Sequence, residues 1–146
     1  MLLKRLVVVV MSALLVITLS PAPASAATAT VSGKLTALNS TNFFSTQRYN
    51  SYASNYVYVE NVSFNPGGGA KVFYLVTPGT TSIFARSENR GGRSYFYRTS
   101  NGSMAIPRGN FTLAVRFEGS CGEGCAPKNF DFSATLGWNF KYVAPQ

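Results

Sequence analysis

Four arginines, Arg86, Arg90, Arg93 and Arg98, fall within one short stretch in which Glu88 is the sole acid. A guanidinium is planar, permanently charged and shaped to grip carboxylate or phosphate oxygens. Phe84 and Phe96 are interleaved with these arginines. If the stretch alternates as a hairpin, Ile83, Ala85, Tyr95 and Tyr97 face inward. Phe84, Arg86, Phe96 and Arg98 then share an outer face. A sheet face that mixes arginine and aromatic groups can stack on sugar rings or bases and pair with anions. The plainer role for the same residues is a solvated edge hairpin whose charges deter edge-to-edge pairing. A second patch is formed by Tyr56 and Tyr58, next to Glu60, on Asn55 to Phe64. With Val57 and Val59 buried, the tyrosines form an aromatic strip suited to sugar stacking. With the tyrosines buried, that site disappears.

Catalytic chemistry is narrowed sharply. The chain has no histidine, which excludes Ser-His-Asp triads, Cys-His pairs and His-ligated metals. The acids are Glu60, Glu88, Glu118, Glu123 and Asp131. A glycosidase can run on two carboxylates, and Glu60 and Glu118 are the pair on segments that could be neighbouring strands. The remaining acids are scattered among basic residues, so a non-catalytic protein is expected. No Asp cluster offers calcium its oxygens. Pro66-Gly67-Gly68-Gly69-Ala70-Lys71 lacks the Gly directly before Lys and the Ser or Thr directly after it that a phosphate loop requires. No cofactor and no metal are expected.

Cys121 and Cys125 are the two cysteines. Three residues separate them, one more than in a redox pair. Gly122 and Gly124 permit a tight ring, so a disulfide is expected, adding roughly 2 kcal/mol by loop closure. That expectation assumes export, and the N-terminus supplies a signal for it. Lys4 and Arg5 precede an apolar run from Leu6 to Leu19, and Ala24-Ser25-Ala26 closes the segment. This is the three-part pattern of a secretory leader, cut between Ala26 and Ala27. The apolar run would span roughly 21 Å as a helix, short of the ~30 Å of a bilayer core. The expected organisation is residues 1–26 as signal peptide and 27–146 as one secreted domain with no further membrane-spanning segment. It would reside outside the cell or in the periplasmic or cell-wall space. Losing Lys4 and Arg5 lowers the net charge from +8 to +6.

The elements that must position these residues read as strands. Phe130, Phe132, Ala134, Leu136, Trp138 and Phe140 alternate with smaller and polar residues, and Phe111, Leu113, Val115 and Phe117 repeat the pattern. Period two marks half-buried strands. Asn55–Phe64 and Lys71–Thr77 read as a hairpin around Pro66-Gly67-Gly68-Gly69, and Val72–Val76 is apolar on both faces, as a central covered strand would be. Ser82–Ser87 and Arg93–Thr99 form the next expected hairpin. Asn101-Gly102 marks a turn, and Thr28–Leu38 an opening strand. Asn39–Ser54 has no Gly, no Pro and no clear period. It predicts either a functional loop or an irregular strand near Phe43–Tyr49, the strand being favoured because so long a structureless loop is uncommon. The fold class is therefore all-β, a small antiparallel sandwich of about seven to eight strands, with a small barrel as the alternative.

Eight Tyr, eleven Phe and one Trp accompany the basic excess. Together these features point to a secreted binding module for a glycan or an anionic cell-surface polymer. The competing class is an extracellular effector: a cationic antimicrobial, or an inhibitor that engages a protein through the Cys121–Cys125 and Asn39–Ser54 loops. Nucleic acid is not expected, since export and the lack of Lys-rich runs weigh against it.

Overall fold

Alternating apolar residues become strands throughout the computed structural model, which describes residues 26–65, 70–89, 91–119 and 130–141. In chain order the strands are β1 (Ala27–Leu35), β2 (Thr41–Phe43), β3 (Arg48–Asn50), β4 (Asn55–Asn65), β5 (Ala70–Val76), β6 (Ile83–Asn89), β7 (Ser94–Tyr95), β8 (Tyr97–Arg98), β9 (Gly109–Glu118) and β10 (Phe130–Lys141). No helix occurs among the described residues. The strands form two sheets. The first runs β1-β10-β4-β7; the second runs β2-β9-β5-β6-β8, with β3 also on β9. All pairings are antiparallel. The protein is thus all-β, with two antiparallel sheets that share one apolar core.

That core takes Val31 and Leu35 from β1, Val57, Val59 and Phe64 from β4, and Phe132, Ala134 and Leu136 from β10. The second sheet answers with Phe73 and Leu75 from β5, Ala85 from β6, and Phe111, Leu113, Val115 and Phe117 from β9. Phe64 stacks on Phe117 at 5.4 Å and meets Phe73 edge-on at 6.4 Å, so aromatic rings bridge the two layers. Each large side chain buried this way contributes about 1.5–3 kcal/mol.

Several expectations are corrected. β4 and β5 are not a hairpin, because they belong to different sheets. Residues 66–69, between them, lie outside the described residues, as do residues 1–25 and both cysteines. The ten strands among the described residues exceed the expected seven to eight because short edge segments escape a period-two search. Asn39–Asn50 is one interrupted edge strand on β9. Asn39 N donates to Phe117 O, Phe43 pairs with Ala114, Phe44 N donates to Leu113 O, and Asn50 pairs with Gly109. The middle of this segment, 45–47, leaves the ladder, so Phe43–Tyr49 is not a continuous strand.

Two asparagines with positive φ change which residues face the core. Asn61 (φ 52°) and Asn139 (φ 63°) sit at register shifts in the β4–β10 ladder. An extra residue at a bulge reverses every following side chain, and Asn tolerates the left-handed backbone this requires. Past Asn61, Val62 and Phe64 return to the core. Past Asn139, Phe140 leaves the face it was expected to share with Trp138 and joins the outer face of the first sheet, against Tyr56 and Tyr58. The alternation of β9 holds throughout, but its outer face is not simply wet. Ala114 is fully buried there with Val72, Tyr74 and Val76. β5 is central, as its apolar run implied, with β9 and β6 on either side.

Candidate functional site

The arginine-rich stretch is organised by a strand that changes sheets. A tight turn follows β6, closed by the Asn89 side chain. Its Nδ2 donates to Gly92 O at 3.0 Å and Ser94 Oγ at 3.1 Å, and its Oδ1 accepts from Gly91 N at 3.2 Å. Gly91 and Gly92 carry the positive φ the turn needs. β7 then pairs with β4 in the first sheet, whereas β8 pairs with β6 in the second. Phe96 lies at the crossing. Its N–H donates to Val57 O at 2.9 Å, and its side chain is 0% exposed. The expected hairpin therefore pairs only through the end of its second arm, Tyr97–Thr99.

This crossing dismantles the predicted outer face of Phe84, Arg86, Phe96 and Arg98. Phe96 plugs the core and Phe84 packs against it. Phe96 therefore offers no ring to a ligand, and Phe84 is partly withdrawn from the surface. Tyr97, expected inward, is 48% exposed. The reversal has a physical cause: Tyr97 pairs with Arg86 and so projects from the face opposite to Ala85, which enters the core. Separately, a register shift in the β5–β6 ladder between Leu75 and Val76 turns Ile83 onto the outer cluster.

What remains is an open groove of about 620 Å³ between the two sheets' edges. Arg86, Arg93 and Arg98 line it together with Tyr95, Tyr97, Ser94, Thr99 and Glu88. Arg86 Nη2 is 3.7 Å from Glu88 Oε2, a loose exposed pair. Among the described residues no carboxylate pairs with Arg98. Its backbone is fixed by the turn at Asn101-Gly102, with Arg98 N donating to Ser103 O at 2.8 Å and Gly102 N to Arg98 O at 2.8 Å. The groove thus holds a positioned strand end with a side chain that no acid among the described residues occupies. Arg90, the fourth predicted arginine, lies outside the described residues.

The tyrosine patch resolves in an intermediate way. Val57 and Val59 face the core, so the tyrosines are on the outer face. Yet Tyr58 is only 2% exposed. It lies over Gly137, its cross-strand partner, where any side chain would collide with the Tyr58 ring. Tyr95 and Phe140 flank it, at centroid distances of 6.2 and 5.0 Å. Tyr56 stands edge-on to Tyr95 at 5.1 Å and stacks near Phe140 at 6.1 Å. Arg93 closes the cluster, its guanidinium 4.0 Å from the Tyr58 centroid and its Nε donating to Glu60 Oε2 at 2.8 Å. The hydrogen bond to Glu60 raises the Arg93 pKa. Burial raises that of Tyr58, against the opposing pull of Arg93.

The structure does not place Glu60 and Glu118 on neighbouring strands. They belong to different sheets, Glu60 held by Arg93 and Glu118 by Arg116 at 3.3 Å. Sequence reasoning missed Tyr95 and Tyr97 as groove residues and Phe140 as a cluster member. Two-residue strands carry no readable period, and the bulge at Asn139 left no signal beyond the asparagine itself. No protein-family model matches the chain, and comparisons with curated proteins and with solved structures return no match.

Proposed function

We propose that the protein is an exported, non-catalytic binding module with a β-sandwich fold, and that its groove takes an anionic sugar polymer. The observation that carries this reading is the convergence of Arg86 and Arg98 with Tyr97 on one open groove, beside Arg93 and Tyr95. Arg93 is committed to Glu60 and Tyr58. Arg86 and Arg98 are the cations a carboxylated or phosphorylated repeat would meet, each able to grip two oxygens of one anionic group. Tyr97, exposed beside them, supplies a flat ring for the apolar face of a sugar. Loss of Phe96 to the core, and partial withdrawal of Phe84, moves the proposal away from neutral glycans and toward charged ones. The leader at 1–26, cut between Ala26 and Ala27, would place residues 27–146 outside the cytoplasm, where Cys121 and Cys125 would bridge.

Retention on insoluble polysaccharides tests the proposal. Cross-linked polygalacturonate should hold the protein at low salt and release it progressively as salt rises, while cellulose should not hold it. Replacing both Arg86 and Arg98 by Ala should abolish the retention. Failure to bind any anionic polysaccharide, or retention indifferent to the double substitution, overturns it.

A further inference from the structure

The outer face of the second sheet carries a row of side chains in direct cross-strand register. Phe43 on β2 pairs with Ala114 on β9, Ala114 with Tyr74 on β5, Tyr74 with Arg86 on β6, and Arg86 with Tyr97 on β8. Directly opposed residues in an antiparallel sheet project from the same face, and Ala114 and Tyr74 pack together there. The row therefore crosses all five strands, about 19 Å at the usual strand spacing. Its two ends stand proud, Phe43 at 46% and Tyr97 at 48% exposure, whereas Tyr74 and Ala114 lie low between them. The result is a platform bounded by two exposed aromatic rings, low in its middle, with one end opening into the arginine groove.

We infer that the polymer runs across the strands along this row, from the groove at Tyr97 and Arg86, over Tyr74, to a distal contact at Phe43. This rests on the anionic-glycan reading and adds a direction and a second aromatic subsite to it. Charge along this face is locally balanced: Arg86 lies in the row with Glu88 at 3.7 Å, and Arg116, in the adjacent row, is held by Glu118 at 3.3 Å. The anionic group is therefore gripped at the groove end, where Arg98 has no acid partner among the described residues. An anionic chain with ring-shaped repeats matches a row anchored at that guanidinium and bounded by a ring at each end. A small charged sugar would occupy only the groove.

The test compares galacturonate oligomers of increasing length as soluble probes, with Phe43→Ala and Arg98→Ala variants of the protein. Phe43 sits half-exposed on an edge strand, so Phe43→Ala should keep the wild-type melting temperature; Phe43→Tyr keeps a ring and should keep the affinity. Affinity should rise with oligomer length until the row is spanned. Phe43→Ala should weaken the longest oligomer about tenfold, as loss of one stacking contact does, and leave the disaccharide unchanged. Arg98→Ala should weaken both. If Phe43→Ala leaves every length unaffected while Arg98→Ala still weakens them, the platform is wrong and the groove remains. If no oligomer binds the wild type, the groove reading itself has failed. Equal losses at all lengths for Phe43→Ala would also overturn the platform, because a distal subsite acts only on ligands that reach it.

Discussion

Two arginine–tyrosine assemblies lie side by side and do different work. In the cluster around Tyr58, every partner comes from the chain itself. Glu60 neutralises Arg93, Arg93 covers the Tyr58 ring, and Tyr58 covers Gly137. In the groove, Arg98 has no acid partner among the described residues and Tyr97 stands nearly half exposed. The same residue types thus serve the fold where the chain satisfies them and remain available to a ligand where it does not. Composition alone cannot separate the two. The decisive variables are which sheet a strand end joins and whether a carboxylate is in reach.

Substitutions can sharpen this contrast, beginning with the residue that joins the two assemblies. Phe96→Ala should cost about 3–5 kcal/mol of stability in urea unfolding, because it empties a fully buried site at the crossing. A cost near zero would mean that the ring is a surface ligand contact after all. Gly137→Ala should cost about 1–3 kcal/mol, since the added methyl meets the Tyr58 ring with no room to spare. In thermal melts it should behave as a fold mutant, and the groove's binding, measured well below the melting temperature, should persist.

Alkaline titration gives a smaller effect of known sign. Burial raises the pKa of Tyr58 and of Tyr74 above the ordinary tyrosine value of about 10. The unfolded chain then ionises these tyrosines first. Stability should be intact below pH ~10 and fall as pH rises through and beyond it, by up to about 1.4 kcal/mol per pH unit for each tyrosine. Tyr58→Phe should flatten that decline; an unchanged slope would show that Tyr58 is not shielded. Smallest is Arg93→Gln. Its ion pair and ring contact are partly exposed, so the loss should be about 1 kcal/mol or less by denaturant unfolding.

The contrast also shows what was legible in the sequence. β9 and most of β10 could be read directly, because strict alternation over ten residues has one solution. The buried Val57 and Val59 followed from the same rule once a face was chosen. The candidate site was half legible. Arg86, Arg93 and Arg98 do converge, because a short arginine-rich stretch cannot scatter far. Phe96 was misplaced because the chain changes sheets between Tyr95 and Tyr97, and a crossing has no period; Phe84 was misplaced because β6 is irregular between Ile83 and Ala85. Phe140 was misplaced because one extra residue at Asn139 turned the strand over. In each case a local rule was correct on either side of a single irregular residue and failed across it.

The central claim is that the open groove, and not the closed cluster, binds an anionic sugar chain. Calorimetric titration of polygalacturonate into the wild type, the Arg86→Ala/Arg98→Ala double variant and Arg93→Gln tests it most directly. The account predicts saturable binding by the wild type, none by the double variant, and nearly unchanged affinity for Arg93→Gln. Binding that survives in the double variant but is lost in Arg93→Gln would contradict it, and so would a wild type that does not bind.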